Sequence, residues 1–248
     1  MKRLIHFSAK SYLTEFEELA DFKKSFEVFS NDENLSAEEI LKKEYDVIEL
    51  GPGDFEKFIP HFHSLDYKIS RLLVADALIK MGDIYQPINL IPDAIYATVT
   101  EKVPSLKIAE PAVIIGEYDF LLAMTHKLAQ CGFLKIIIAL ADPAQGEKIR
   151  QIISHYIFGV QVVTISLEEL TQLDSSNGLL VINIDKQSDP EAYESITYFN
   201  FLTPNAVFVD MQSRTEDGLV EEARRAELMV FGEVEILKTK YQSILELL

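Results

Sequence analysis

The hydrophobic positions alternate along the chain between short apolar runs and amphipathic segments, most regularly from residue 111 onward. Runs of four to eight β-branched and apolar residues bounded by polar segments are typical of buried strands, and the longer segments between them are typical of helices. Regular alternation of this kind predicts a parallel sheet covered by helices. Strands are predicted at 112–116, 135–140, 161–165, 179–184, 206–210 and 228–231.

Helix start signals separate several of these strands. Asp142-Pro143 and Asp189-Pro190 each place an acidic N-cap before a proline at the first helical position. Ser166 and Glu169 have the spacing of a capping box, and a final helix is predicted from about Glu235 to the end of the chain. Six strands with intervening helices predict a Rossmann-like doubly wound sheet, most simply in the strand order 3-2-1-4-5-6.

The first hundred residues predict a smaller α/β domain. Its strands are predicted at Arg3–Ser8, Phe26–Ser30 and Asp46–Leu50, with a helix between each pair. The second of these helices begins with a capping box formed by Ser36 and Glu39. The β-α-β-α-β order favours a parallel sheet here as well.

Two further segments follow the third strand of this domain. A long helix is predicted from about Ser64 to Met81, because its apolar residues recur at helical spacing and Gly82 is a suitable C-terminal stop. Residues 86–111 carry prolines at 87, 92, 104 and 111 around a β-rich run, Ala94–Thr100, and are interpreted as the interdomain connection. The predicted domains are therefore 1–105 and 106–248, the second including the C-terminal helix.

Composition excludes some classes of partner. A formal net charge of −17 and a pI near 4.7 argue against nucleic acid, which needs a cationic surface. No apolar run approaches the roughly 18–20 residues that span a bilayer, and the N-terminus lacks a secretory signal. The sequence therefore predicts an acidic, cytoplasmic protein without a membrane partner. Its single cysteine, Cys131, is interpreted as a packing residue.

The loop after the first strand of the larger domain is where a Rossmann sheet binds a pyrophosphate. Glycines in that loop let the backbone approach the phosphates at the helix N-terminus. Here the loop is Gly116-Glu117-Tyr118-Asp119, so that Tyr118 stands at the second glycine position between two carboxylates. We expect the tyrosine and the negative charge to exclude a pyrophosphate, with Asp119 capping the helix.

Other interpretations of the same loop remain open. Tyr118 could stack on an adenine rather than fill the site. Glu117 and Asp119 could act as an acid/base pair, although an N-cap role for Asp119 is favoured. Asp142 lies about 26 residues after Gly116, where an acidic residue could accept the ribose hydroxyls of NAD, and its position before a proline suits a helix cap equally well.

The segment His61-Phe62-His63 raises the question of a metal site. Alternate residues of an extended segment place two imidazoles on one side, which suits a metal ion. Since no cysteine or carboxylate cluster of ligand spacing stands nearby, a polar loop leading into a helix is the favoured interpretation, and no metal is predicted.

Segments near the C-terminus carry a family resemblance. Val207–Asp210 followed by Leu219–Ala223 is an apolar strand ending in Asp and then a Leu-containing helix start. Phe231-Gly232 followed by Ile236-Leu237 is a strand ending in glycine and then an apolar pair opening the last helix. With Asn183, which is similar to the asparagine of an Asn-Ala-Thr turn, these segments and the order of elements resemble the shikimate dehydrogenase family over nearly the full length.

The resemblance implies an NADP-dependent dehydrogenase, but the positions that carry its chemistry differ here. Of the family's Gly-x-Gly-Gly loop and following alanine only Gly116 and Ala123 remain. The family's Asn-Arg-Thr, whose arginine meets the 2′-phosphate of NADP, is replaced by 139–142, Ala-Leu-Ala-Asp. Phe62 stands in the place of the catalytic lysine of an Ile-Pro-His-Lys motif. A Ser-x-Ser motif near the N-terminus and an Asn-Thr-Asp before Pro111 are both missing.

These observations predict a shikimate dehydrogenase-like protein that has lost NADP binding and catalysis, with no catalytic residue and no cofactor. Such a protein would act as a small-ligand or protein-binding, regulatory module, its partner an unidentified small molecule or protein in the interdomain cleft. The alternative is an NAD(P)-dependent oxidoreductase of the shikimate/quinate dehydrogenase type, using NAD in an altered loop on a different substrate. The degenerate cofactor positions are Gly116, Tyr118, Asp119, Asp142, Asn183 and Gly232.

Overall fold

The computed structural model of the protein describes residues 1–9, 11–140, 143–183, 199–211 and 218–248. Its contacts divide the chain into two compact units. The first comprises Met1–Ala94 together with Leu237–Leu248, and the second comprises Ile95–Ile236. Both division points fall inside helices, whereas the sequence pattern places a boundary at 105/106 and keeps the last helix with the second domain.

The first unit contains a five-stranded sheet in the order β2-β1-β3-β4-β5. The first three strands run parallel to one another, as the β-α-β-α-β pattern predicts, while β4 and β5 form an antiparallel hairpin added beside β3. The strands are β1 Lys2–His6, β2 Phe26–Ser30, β3 Val47–Glu49, β4 Ala77–Met81 and β5 Ile84–Ile88.

Short helices connect these strands. The predicted capping box is confirmed, since the Ser36 hydroxyl accepts the Glu39 N–H at 3.3 Å and the Glu39 carboxylate accepts the Ser36 N–H at 2.9 Å. Two turns of 3₁₀ helix, at Glu17–Leu19 and Ile59–His61, add to the α-helices. The helices are α1 Tyr12–Glu15, α2 Ala20–Lys23, α3 Ala37–Lys42, α4 Phe55–Phe58 and α5 Tyr67–Leu72.

The prediction of one long helix from Ser64 to Met81 is wrong. Its first half is α5, which Asp66 caps and which ends where Leu73 adopts a left-handed φ of 54°. Its second half is β4, whose apolar residues are buried in the sheet. A short, mainly apolar run satisfies a helical pattern and a buried strand equally well, and pairing with β3 decides for the strand.

The interpretation of Ala94–Thr100 as a β-rich run is also wrong. These residues lie within α6, Leu90–Lys102. The Asp76 carboxylate accepts the N–H groups of Leu90 and Ile91, both at 2.7 Å, and so caps the helix from a distant part of the chain. This tertiary cap and burial of the helix override the strand propensity of the β-branched residues.

The second unit contains a six-stranded sheet in the order β11-β10-β9-β6-β7-β8, in which every observed pairing is parallel. Numbered from β6, this is the order 3-2-1-4-5-6, and the predicted Rossmann-like sheet is confirmed. The strands are β6 Ala112–Gly116, β7 Lys135–Ala139, β8 Gln161–Ile165, β9 Asn177–Asn183, β10 Leu202–Asp210 and β11 Met229–Gly232.

Helices connect strands of this sheet, and one more helix follows its last strand. The predicted capping box at Ser166 is only half formed. The Glu169 carboxylate accepts the Ser166 N–H at 2.8 Å, and the residues that follow form a 3₁₀ helix, Glu168–Gln172, in place of an α-helix. The predicted cap at Asp189-Pro190 lies outside the described residues. The helices are α7 Tyr118–Gln130, α8 Pro143–Tyr156, α9 Gly218–Arg225 and α10 Glu233–Leu247.

The core of the second unit sits around the two central strands. Residues 112–115 of β6 and 179–182 of β9 are buried throughout, as expected for parallel strands with both faces covered. Among the described helices of the whole chain, none is long and apolar enough to cross a membrane.

Candidate functional site

The candidate site lies where the order of the Rossmann strands reverses. Strands β6 and β9 are neighbours in the sheet, and Gly116 and Asn183 are paired at their carboxyl ends. In open α/β sheets, ligands bind outside the carboxyl ends of the strands at this switch point. The fold therefore brings together two residues that are far apart in the sequence.

Gly116 is required at this point by its neighbours. A Cβ atom there would come within 2.8 Å of a ring carbon of Phe120 and 3.0 Å of the backbone oxygen of Asn183. Real Cβ atoms essentially never show the first distance, and the second is tighter than nine in ten real Cβ contacts, so a side chain here would force its neighbours to move. The one glycine that remains of the loop motif thus serves the close turn from strand to helix.

Helix α7 begins at Tyr118, directly after this turn. Its N-cap residue is Glu117, which has extended backbone angles (φ −78°, ψ 161°) and whose side chain makes no capping hydrogen bond in the described part of the chain. The prediction that Asp119 is the N-cap is wrong, because the strand ends at Gly116 and leaves only one residue before the helix. A helix start that its cap residue leaves unbonded suits an anionic ligand.

Tyr118 and Asp119 occupy the first turn of this helix, and both are half-buried, while Glu117 is exposed. Burial, and secondly the Asp119 carboxylate, raises the pKa of Tyr118. The tyrosine is therefore neutral at pH 7 and adds bulk without charge. Its position is that of the second glycine in a working phosphate loop, where the backbone otherwise lies against the phosphates.

Gly232, another predicted position, does not join this group. Gly232 ends the edge strand β11, which β10 and β9 separate from β6, so it lies roughly 14 Å from Gly116 at the usual spacing of strands. Its N–H group donates to the Glu235 carboxylate at 3.0 Å. Asp142 lies outside the described residues.

In the first unit, His61 and His63 line a cavity of about 440 Å³ together with the ion-paired side chains of Glu38 and Lys42. Phe62 between them packs toward the Phe55 ring, with centroids 6.1 Å apart. Within the described ranges, no group of three or more metal-ligating side chains is arranged to hold a metal ion. Two imidazoles alone do not make a protein metal site.

A buried polar cluster in the first unit escaped the sequence analysis. Glu49 ends β3, and its Oε1 atom accepts hydrogen bonds from Lys240 Nζ and the Tyr241 hydroxyl, both at 2.7 Å. Its Oε2 atom accepts the Ser11 hydroxyl at 2.7 Å. A charged residue inside the apolar run 47–50 was the only available signal, because Lys240 lies 191 positions later in the chain.

The electrostatics of this cluster keep the carboxylate ionised. Burial by itself raises the pKa of Glu49, but the charges of Lys240 and His6 and the hydrogen bonds from Lys240 and Ser11 bring it below its usual value. Burial lowers the pKa of His6, an effect that the charge of Glu49 only partly offsets. At neutral pH the cluster therefore contains one buried ion pair and a neutral imidazole.

Comparison with known proteins bears on the fold alone. No family model matches the chain, and no curated protein matches its sequence. The structure of quinate dehydrogenase from Corynebacterium glutamicum in complex with NAD matches with a TM-score of 0.78 at 12% identity, over 99% of this chain and 92% of that chain. Shikimate 5-dehydrogenase from Listeria monocytogenes, in complex with shikimate and NAD, matches with a TM-score of 0.76 at 12% identity, over 99% and 90%.

A third match is 5-ketofructose reductase of Gluconobacter sp. strain CHM43, with a TM-score of 0.71 at 11% identity, over 99% of this chain and 91% of that chain. The chain has the shikimate dehydrogenase fold. The fold class predicted from the sequence, and the resemblance seen near the C-terminus, are confirmed at this level. The matched proteins are named for different substrates, so the fold leaves the activity open.

Proposed function

We propose that the protein is an NAD(P)-dependent oxidoreductase of the shikimate/quinate dehydrogenase type, with an altered cofactor loop and a substrate other than shikimate. The start of α7 carries the proposal, because Glu117 makes no capping bond there and the helix begins at the switch point of the sheet. Backbone N–H groups and the helix dipole together favour an anion at such a position.

The residues of the loop define how a dinucleotide would be held. The N–H groups of the first turn, residues 118–120, would bind the pyrophosphate, and Gly116 provides the close turn before them. When bound, the nicotinamide supplies a hydride donor or acceptor. NAD is favoured over NADP, because the sequence after β7 has no arginine for a 2′-phosphate. Tyr118 and the charges of Glu117 and Asp119 weaken the site without closing it.

Titration calorimetry with NAD, NADH, NADP and NADPH tests the proposal. We expect NAD(H) to bind to the wild-type protein with a dissociation constant below about 1 mM, which corresponds to about −4 kcal/mol, and NADP(H) to bind more weakly. The double variant Tyr118→Gly, Asp119→Gly should bind NAD(H) at least about tenfold more tightly, a change of about 1.4 kcal/mol. The exposed Lys238→Ala serves as a matched control that should leave binding unchanged.

A second candidate is a ligand- or protein-binding module without a cofactor. Phe62 favours it, since this residue stands in the place of the catalytic lysine and packs toward Phe55. The same titration separates the two candidates. If the wild-type protein binds no dinucleotide but the double-glycine variant does, the binding module is selected and the oxidoreductase is rejected.

A substrate panel completes the test. Purified protein with NAD is offered hydroxylated acids and sugar alcohols, and NADH formation is followed by absorbance. Shikimate serves as the negative control and should not be oxidised, because Phe62 supplies no proton-transferring group. Turnover of shikimate at a rate typical of enzymes, about 1 s⁻¹ or more, would contradict the assignment of Phe62.

A further inference from the structure

The ammonium group of Lys240 is enclosed by a carboxylate and two aromatic rings within the first unit. Its Nζ atom lies 2.7 Å from Glu49 Oε1, 5.0 Å from the centroid of the Tyr12 ring and 5.4 Å from that of the Tyr241 ring. The side chains of Lys240 and Glu49 are only 2% and 1% exposed. A carboxylate with flanking aromatic faces is the arrangement by which proteins recognise ammonium ligands.

The carboxylate is held in place by groups other than the lysine. The hydroxyls of Ser11 and Tyr241 each donate to Glu49 at 2.7 Å, one to each oxygen, and both residues are buried. Glu49 also ends β3, which lies between β1 and β4 in the sheet. Because these contacts fix the carboxylate, its position does not depend on the ammonium group.

The surroundings of Glu49 make a cation necessary. Its direct neighbour on β1 is His6, which burial keeps neutral at pH 7. The nearby carboxylate of Asp54 is already paired with Lys57 at 2.9 Å, and Asp76 is bonded to the N-terminus of α6. Within the described part of the chain, Lys240 is the only cation that forms an ion pair with Glu49, and a buried anion left without such a partner is strongly unfavourable.

We propose that Glu49, Ser11, Tyr12 and Tyr241 form a binding site for a primary ammonium group, and that Lys240 of the same chain occupies it as an internal ligand. The ligand class is a small unbranched alkylamine, since the site receives an ammonium at the end of a straight alkyl chain. Tethering gives Lys240 a high effective concentration, so it closes the site to free amines in the wild-type protein. This inference needs no dinucleotide and does not depend on the proposed function.

Chemical rescue tests the site. Lys240→Ala removes the Cγ, Cδ, Cε and Nζ atoms, which n-propylammonium replaces atom for atom. We expect the variant to have a lower Tm than the wild-type protein, and n-propylammonium chloride to raise it saturably by about 3 °C or more. Neither 1-propanol nor potassium chloride at equal concentration should do so. Absence of rescue, or an equal rise in the wild-type protein, would overturn the proposal.

A second set of variants keeps the test decisive if Lys240→Ala does not fold. Lys240→Met keeps an unbranched side chain that is one atom shorter and removes the charge, so we expect a lower urea midpoint, and adding Glu49→Gln should recover most of the loss. Lys238→Ala, on the exposed side of the same helix, should change nothing. If Lys240→Met is as stable as the wild-type protein, or if Glu49→Gln brings no recovery, Glu49 does not need an ammonium partner and the proposal fails.

Discussion

Asp76 shows how a single partly buried residue makes stability depend on pH. Its carboxylate caps α6 through Leu90 and Ile91, and burial raises its pKa from 3.8 to about 6. The folded chain therefore holds this proton more tightly than the unfolded chain. The resulting stabilisation, about 3 kcal/mol, is fully present below pH 3.8 and is lost as the pH rises through about 6.

The variant Asp76→Asn tests whether the contribution of Asp76 to stability falls as the pH rises. An amide carries no charge and keeps one acceptor oxygen where the carboxylate offers two to the helix N–H groups, so the stability of the variant relative to the wild-type protein should be greater at pH 7 than at pH 4. Urea unfolding across this range measures the difference. Asp32→Asn, at an exposed position, should follow the wild-type curve. Parallel curves for Asp76→Asn and the wild-type protein would show that Asp76 titrates normally.

At the scale of elements, one substitution at the start of α7 is expected to raise the stability of the protein and to weaken the binding of its ligand. Glu117 has N-cap backbone angles, but its side chain makes no capping bond to described residues. Glu117→Asp keeps the charge and shortens the side chain to one that caps well, so we expect a gain of about 1 kcal/mol in unfolding free energy. The same bond occupies an N–H group that the proposed pyrophosphate needs, so NAD should bind several-fold more weakly.

Urea unfolding and calorimetry on the same samples measure both effects. Glu117→Ala is the matched control, because it removes the charge without adding a cap and should bind NAD at least as tightly as the wild-type protein. If Glu117→Asp gains stability and NAD affinity is unaffected, the first turn does not hold the pyrophosphate.

At the scale of the whole molecule, the end of the last helix contributes to the stability of the first unit more than to that of the second. Contacts assign Leu237–Leu248 to the first unit, although these residues continue a helix that begins in the second. Besides the bonds to Glu49, the Tyr241 ring packs near Phe22 and Phe26, with centroids 6.1 and 6.2 Å apart. A chain ending at Ile236 would expose this surface and leave Glu49 without its cation.

Hydrogen exchange measures the effect of that truncation. We expect strands β1–β5 to lose protection, because a break in a buried charge pair costs about 3–5 kcal/mol, while β6–β11 stay protected. A shorter deletion, of residues 246–248, removes neither Lys240 nor Tyr241 and should have a much smaller effect. Full protection of β1 and β3 in the long truncation would show that the first unit does not need the helix.

The sequence by itself determined those features that depend on local pattern. The positions of the six strands and the capping box at Ser36 follow from apolar periodicity and from the side chains that cap helix ends. The altered loop at Tyr118 could also be predicted, because a fixed spacing after a strand identifies the phosphate position. These signals act within about ten residues and need no knowledge of distant partners.

Only the tertiary structure decided the features that depend on distant partners. Pairing with β3 makes residues 77–81 a strand, and Asp76 caps the helix that contains Ala94–Thr100. The N-cap at Glu117 follows from where β6 ends against β9, and the ion pair of Glu49 with Lys240 joins residues 191 positions apart. Burial and pairing energies of several kcal/mol outweigh local propensities of less than about 1 kcal/mol per residue, and a single sequence does not reveal which distant residues supply them.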